Sequence, residues 1–294
     1  MGHPQIAAIA RVANGSTMRP ARSIGGEVTL LTRGTHDIRY DEVHDEILLT
    51  APQSDALLVF RGGANGAEAP IRVIQGDKTG CCSDRLDVDP IHNEIYVPSG
   101  RSILVYDRLA NGNVPPIRKI EGPKTRLGET GGTSTLAVDP VHNILAVGTA
   151  NRVPAQKKSD AWILFFNRTD SGDVAPIGEI SIPDLPRPAF AGTSYQGMDG
   201  GQAIDQLQMY PAKGWVIAAL PGGDRSWEAP GFHPYIGIWS INDRGAVPPR
   251  WKIGGEKSTL LRPRGVVLVP KTKEMIVADM RQNAIFSYSF PEIF

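Results

Sequence analysis

The chain has 294 residues, with 31 Lys plus Arg against 31 Asp plus Glu. Zero formal net charge without a basic block argues against nucleic acid or an anionic membrane as the main partner. No apolar run is long enough to span a bilayer, and abundant Gly and Pro suit a fold built on tight turns.

In chain order, the N-terminal MGHPQIAAIARVANGS has no long apolar core of the signal-peptide kind and runs straight into a β-rich stretch, 6–26. A cytoplasmic location is therefore expected. The next stretch, IRYDEVHDEILL (38–49), is followed by LLVFRGGANGAEAPIRVIQG (57–76). The same pair returns as LDVDPIHNEIYV (86–97) with ILVYDRLANGNVPPIRKIEG (103–122), and as LAVDPVHNILAV (136–147) with ILFFNRTDSGDVAPIGEI (163–180). It returns once more, eroded, as LQMYPAKGWVIA (207–218) with IGIWSINDRGAVPPRWKIGG (236–255). The last copy, VVLVPKTKEMIV (266–277), is followed by a single β-rich run, 284–290.

Each unit reads as four short runs rich in Val, Ile, Leu and Tyr, here called a to d. Runs a and b meet at D-P-x-H-N, and runs c and d at N-G-x-x-x-P. Asn, Gly and Pro supply the positive or preset φ that tight turns require, and the runs are too short for helices. Four antiparallel strands repeated every 50 residues or so predict an all-β fold, a single β-propeller domain over 1–294. Five blades are expected, with six, one of them irregular, as the alternative. The last unit supplies a (266–270), b (274–279) and c (284–290) and stops. Residues 19–24 are expected to pair beside 284–290 as its strand d, which would close the ring and hide its edges.

A G-x-K-[ST] sequence recurs at 76–79, 122–125 and 255–258. It lacks the phosphate-loop spacing and no helix follows, so it reads as the d–a connector. No G-x-S-x-G elbow occurs, which excludes an α/β-hydrolase type of serine mechanism. His44, His92 and His142 recur at the a–b turn, and that repetition points to turn packing.

The c–d unit and the V-D-P-x-H-N hairpin resemble the NHL/YncE-type and lactonase-like β-propeller superfamily. These motifs mark turns, and the resemblance covers most of the chain. It implies the fold and a range of functions, from lactonases and lyase-type enzymes to interaction scaffolds.

The a–b and c–d turns lie at one end of each unit and are monotonous. The irregular segments are the b–c and d–a connections: 76–85, 122–135, 148–161, 183–206 and 220–235. Variable loops on a rigid scaffold are where function concentrates. Residues just before each a strand are expected to ring the mouth of the channel. There His36, Asp37, Asp84, Arg85, Asp205 and Arg264 form a polar set fit for acid–base chemistry or for a divalent metal ion. The alternative is a wet mouth where Asp and Arg simply pair.

The adjacent Cys81 and Cys82 fit no metal or haem motif. Neighbouring Cα atoms lie about 3.8 Å apart, below the usual disulfide range. Two free thiols are thus favoured over a bond that would form an apolar plate against a ligand. Tyr195, in a Gly-rich segment, and Trp227, Phe232 and His233, in a non-repeated aromatic insertion, complete the expected substrate-binding set. The expected activity is hydrolysis of a lactone-like ester, or a lyase step, on a small organic molecule. A noncatalytic protein- or ligand-binding propeller is the alternative.

Overall fold

The structure is a computed structural model. It describes residues 4–11, 15, 18–81, 85–127, 133–150, 158–186, 204–221 and 234–294. The chain divides into two compact units, Met1–Ser99 with Leu104–Arg118, and Gly100–Ile103 with Lys119–Phe294.

The protein is an all-β, five-bladed β-propeller. A two-stranded sheet comes first: β1 (Gln5–Ala8) and β2 (Arg22–Gly25). Four sheets of four strands follow, each in sequential order. They are β3 to β6 (Ile38–Asp41, Glu46–Ala51, Ala56–Arg61, Arg72–Gln75) and β7 to β10 (Asp87–Asp89, Glu94–Ser99, Ser102–Asp107, Arg118–Glu121). Next come β11 to β14 (Thr133–Asp139, Ile144–Ala150, Lys158–Asn167, Gly178–Pro186) and β15 to β18 (Gln206–Tyr210, Trp215–Leu220, Tyr235–Ser240, Trp251–Gly254). The last sheet has three strands, β19 to β21 (Pro263–Val269, Glu274–Asp279, Ala284–Ser289). Among the described residues no helix is long and apolar enough to cross a membrane.

Two expectations need correcting. Among the described strand pairs, β2 pairs with β1 and not with β21. The N-terminal c-like and d-like runs pair with each other, Gln5–Ala8 antiparallel to Arg22–Gly25. The segment 148–161 is also less of a loop than expected: β12 and β13 stay paired out to Ala150 and Ala161, and β13 begins at Lys158.

Strands b and c are the buried centre of the four-stranded sheets. β4, β5, β8 and β9 are almost continuously buried, so they read as apolar runs and not as alternations. Their side chains fill the space between successive sheets. Leu48, Leu57, Val59 and Ile74 pack with Leu86, Ile95, Val97 and Tyr106 of the next sheet. Ile217, Ile236 and Ile238 pack in the same way with Val266, Met275 and Val277. Each fully buried aliphatic side chain contributes roughly 1.5–3 kcal/mol.

A second joint is made of backbone. The turn of each c–d hairpin, Asn-Gly at 65–66 and 111–112, Ser-Gly at 171–172 and Arg-Gly at 244–245, puts its glycine at positive φ, from 70° to 83°. That glycine exchanges both of its hydrogen bonds with strand d of the preceding sheet. Gly66 N–H donates to Ser23 O and Gly66 O accepts from Gly25 N–H; Gly112 does the same with Val73 and Gln75. The parallel bridges Ile24–Gly66, Ile74–Gly112, Ile120–Gly172 and Ile180–Gly245 repeat this joint. It also assigns β2 its role, as the strand d that precedes the first complete sheet.

Candidate functional site

At the a–b turns the repeated aspartate is wholly inside the protein. Asp41 Oδ1 accepts the N–H groups of Val43 and His44, and its Oδ2 lies 2.7 Å from His44 Nδ1. Asp89 holds Ile91 and His92, and Asp139 holds Val141 and His142, in the same geometry. With a carboxylate as acceptor, Nδ1 carries the proton. These histidines are turn-packing groups, as their repetition suggested. The residue after each histidine, Asp45, Asn93 or Asn143, takes positive φ. Its carbonyl accepts from the end of strand c, at Gly62, Arg108 and Arg168.

The opposite end carries the expected site. Asp37 stands immediately before β3, Thr135 is the third residue of β11 and Gln206 opens β15, and each is buried. Every one of them reaches a backbone N–H in or just before strand a of the next sheet. Asp37 Oδ2 accepts the N–H of Leu86 at 3.2 Å, Thr135 Oγ1 that of Leu207 at 3.2 Å, and Gln206 Oε1 that of Val266 at 2.5 Å. Three different side chains thus make one stitch between consecutive sheets. Thr135 can do so because Gly148 faces it: a Cβ on Gly148 would stand 2.6 Å from Thr135 Cγ2.

Charges at these positions are paired as well. Asp37 Oδ1 accepts from Arg39 Nη1 at 2.8 Å, and Arg39 Nε donates to Asp87 at 3.1 Å. Burial opposes the charge on Arg39, but Asp37 and Asp87 outweigh it and hold the guanidinium above its ordinary range. Asp205, buried to 3% side-chain exposure, meets Arg264 Nε at 2.9 Å; Arg264 keeps 30%. A β-bulge between Pro263 and Gly265 sits at Arg264, and bulges re-aim side chains in this way. Sequence reasoning missed a further buried carboxylate. Glu46 is clamped by Arg72 Nη2 at 2.6 Å and Arg108 Nη1 at 2.7 Å. Only the fold brings those three positions together.

Of the expected catalytic set, Asp205 and Arg264 come together in one unit. His36 and Asp37 lie in the other, where His36 is exposed and donates its backbone N–H to Thr50 O. Arg85 is buried beside the start of β7. Asp84, Cys82, Tyr195, Trp227, Phe232 and His233 lie outside the described residues. Among the described residues no three metal-ligating side chains gather.

Cys81 is disulfide-bonded, which overturns the expectation of free thiols. The chain's other cysteine is its neighbour Cys82. Beside Cys81 is a cavity of about 380 Å³, lined by Ser54, Asp55, Gln75, Asp77, Gly80 and Cys81 among others. It lies at the connector end, between the b–c loop and the d–a connector of one sheet.

No family model and no curated protein matches the chain. Solved structures do. Kuenenia stuttgartiensis hydrazine synthase superposes with a TM-score of 0.53 at 12% identity, over 84% of this chain and 56% of that one. This chain therefore spans little more than half of that protein, and the likeness is one of fold. A putative 6-phosphogluconolactonase from Bacteroides uniformis gives 0.49 at 16% identity, over 94% of this chain and 71% of that one. The Cps50 (Swd1) β-propeller domain of Myceliophteria thermophila gives 0.48 at 11%, over 88% and 65%.

Proposed function

We propose that this protein is a small-molecule-binding propeller scaffold of the NHL/YncE-like kind, which takes its ligand at the connector end of its sheets. The observation that supports this is the use made of the polar residues at the start of strand a. Asp37 and Gln206 stitch consecutive sheets, and Asp205 is ion-paired with Arg264. Side chains already engaged with backbone or guanidinium partners are not turned toward a substrate, whereas acid–base catalysis needs a group within hydrogen-bond reach of one. The irregular connections and the cavity beside Cys81 are at the same end of the sheets. A neutral formal charge favours a small molecule over nucleic acid as the partner.

A second reading is a lactonase-like hydrolase or a lyase. Arg264 favours it: its side chain, fixed on one side by Asp205, is still 30% exposed, and a guanidinium is a fit partner for a developing oxyanion. The test is a thermal-shift screen of lactones, esters and organic acids, with each stabilising compound recovered and analysed. The scaffold reading expects the compound to come back intact. Conversion faster than in buffer, lost in Arg264→Gln, assigns the hydrolase instead.

A further inference from the structure

Strands β2, β6, β10 and β14 each receive a glycine from the next c–d turn, and among the described residues β18 does not. Where the joint is complete, side chains on both sides of the glycine take part. Gly112 N–H donates to Val73 O, and Gly112 O accepts from Gln75 N–H. Asn111 Oδ1, before the glycine, accepts the N–H of Val73 at 2.9 Å. Asn113 Oδ1, after it, accepts the N–H of Lys78 in the connector at 2.9 Å. Asp173 Oδ1 does the same for Lys124 at 2.7 Å. These two side chains lie over Gly76 and Gly122, where a Cβ would collide with them; over Gly26 the place is taken by Ala67. The isoleucine in each keyed strand is shut in: Ile24 is 2% exposed, and Ile74, Ile120 and Ile180 are 0%.

β18 presents the same groups without the key. Lys252 and Gly254 hold the places of Val73 and Gln75 in the strand register, and 255–260 is a connector of the same kind as 76–81. Among the described residues no turn glycine reaches Lys252 or Gly254, and no Asn or Asp side chain reaches Lys257 N–H. None of them stands within 4 Å of the place a Gly255 Cβ would take. Ile253 is accordingly only half-buried. The cause lies in the last sheet. After β21 the chain makes a 3-10 turn, Pro291–Ile293, where the other sheets make a c–d hairpin, and Ile293 O accepts the indole N–H of Trp215 at 3.0 Å.

We propose that this edge is a docking site for a partner polypeptide, and that its occupant is a tight turn of Asn-Gly-Asn or Asn-Gly-Asp sequence with the glycine at positive φ. An unpaired strand edge is a template for another chain. Recognition at such an edge draws affinity from main-chain hydrogen bonds and specificity from the places of alternate side chains. Here the partner's glycine N–H donates to Lys252 O, and its carbonyl accepts from Gly254 N–H. The Asn before the glycine accepts from Lys252 N–H. The Asn or Asp after it crosses the bare Gly255 and accepts from Lys257 N–H. Ile253 is then covered as Ile74 is. An L-residue in place of the glycine is disfavoured by the left-handed backbone that the joint requires. The proposal does not rest on the ligand reading.

The test is amide exchange and NMR shifts of the full chain, with a backbone-cyclised peptide of residues 105–118 as the probe. In the free, dilute protein the amides of Lys252, Gly254 and Lys257 should exchange fast. The peptide should slow those three, shift their resonances and move the Ile253 methyl signals. Gly112→Ala in the peptide should weaken binding about tenfold, the cost of holding an L-residue in the left-handed region. Asn113→Ala in the peptide should weaken it about fivefold, for one hydrogen bond. In the protein, Gly255→Ala fills the place over the connector, so the Asn113→Ala peptide should bind that variant as well as the parent peptide does. Protection of the three amides before peptide is added overturns the proposal: if it survives dilution, another part of the chain fills the edge, and if dilution removes it, a second copy does. Shifts confined to other residues, or equal binding of all three peptides to the unaltered protein, overturn it too. That peptide series stands even if Gly255→Ala does not fold.

Discussion

At the a–b turns, Asp41, Asp89 and Asp139 hold the same two N–H groups and the same histidine. At the strand starts, Asp37, Thr135 and Gln206 have in common only an oxygen that reaches a backbone N–H of the next sheet. The turn is local. Donors and acceptor are within three residues, so one side chain at one spacing solves it, and the motif is legible. The stitch is not local. Its partner is 49, 72 or 60 residues away, and any side chain that places an oxygen there will serve. Variety at equivalent positions can therefore mean a shared geometric task and not a specialised site.

The largest effect should come from breaking the local end. Asp89→Ala removes a fully buried acceptor from two N–H groups and a histidine. It should cost about 3 kcal/mol in denaturant unfolding, and a change under about 1 kcal/mol would make the turn dispensable. Next is Gly148→Ala. Its methyl would press on the buried, β-branched Thr135 and disturb the Leu207 stitch. Overpacking of this kind costs about 2 kcal/mol; pairing it with Thr135→Ala should recover part of the loss in a double-mutant cycle.

Gln206→Ala leaves the Val266 N–H unpaired inside the protein, for about 1–2 kcal/mol. If function survives that variant at permissive temperature, position 206 is structural, as the comparison requires; loss of ligand binding with unchanged melting would reverse it. The smallest effect belongs to a surface pair. Asp243 is held below its ordinary carboxyl range by the hydrogen bond from Arg250, which outweighs a partial burial that acts the other way. Its folded pKa is depressed, so its contribution is present above the unfolded value near 3.8 and is lost as pH falls through the folded one. Asp243→Asn should slightly lower melting at neutral pH, where the contribution is fully present, and slightly flatten the pH dependence of melting below pH 3.8.

The sequence by itself determined the blades. Turn chemistry and strand periodicity are short-range, so D-P-x-H-N, N-G-x-x-x-P and the G-x-K-[ST] connector could be read as hairpins and turns from the residues alone. It also pointed to the connector end of each sheet as the irregular one. What it did not determine was the use of the polar residues before strand a. Whether Asp37 and Asp205 are acids awaiting a substrate or partners already engaged depends on residues 49 and 59 positions away, Leu86 and Arg264. Nor did it decide that β2 pairs with β1, or that Cys81 is bonded. Those outcomes depend on which groups the packed sheets bring within hydrogen-bonding or bonding distance, and only the tertiary structure decides that.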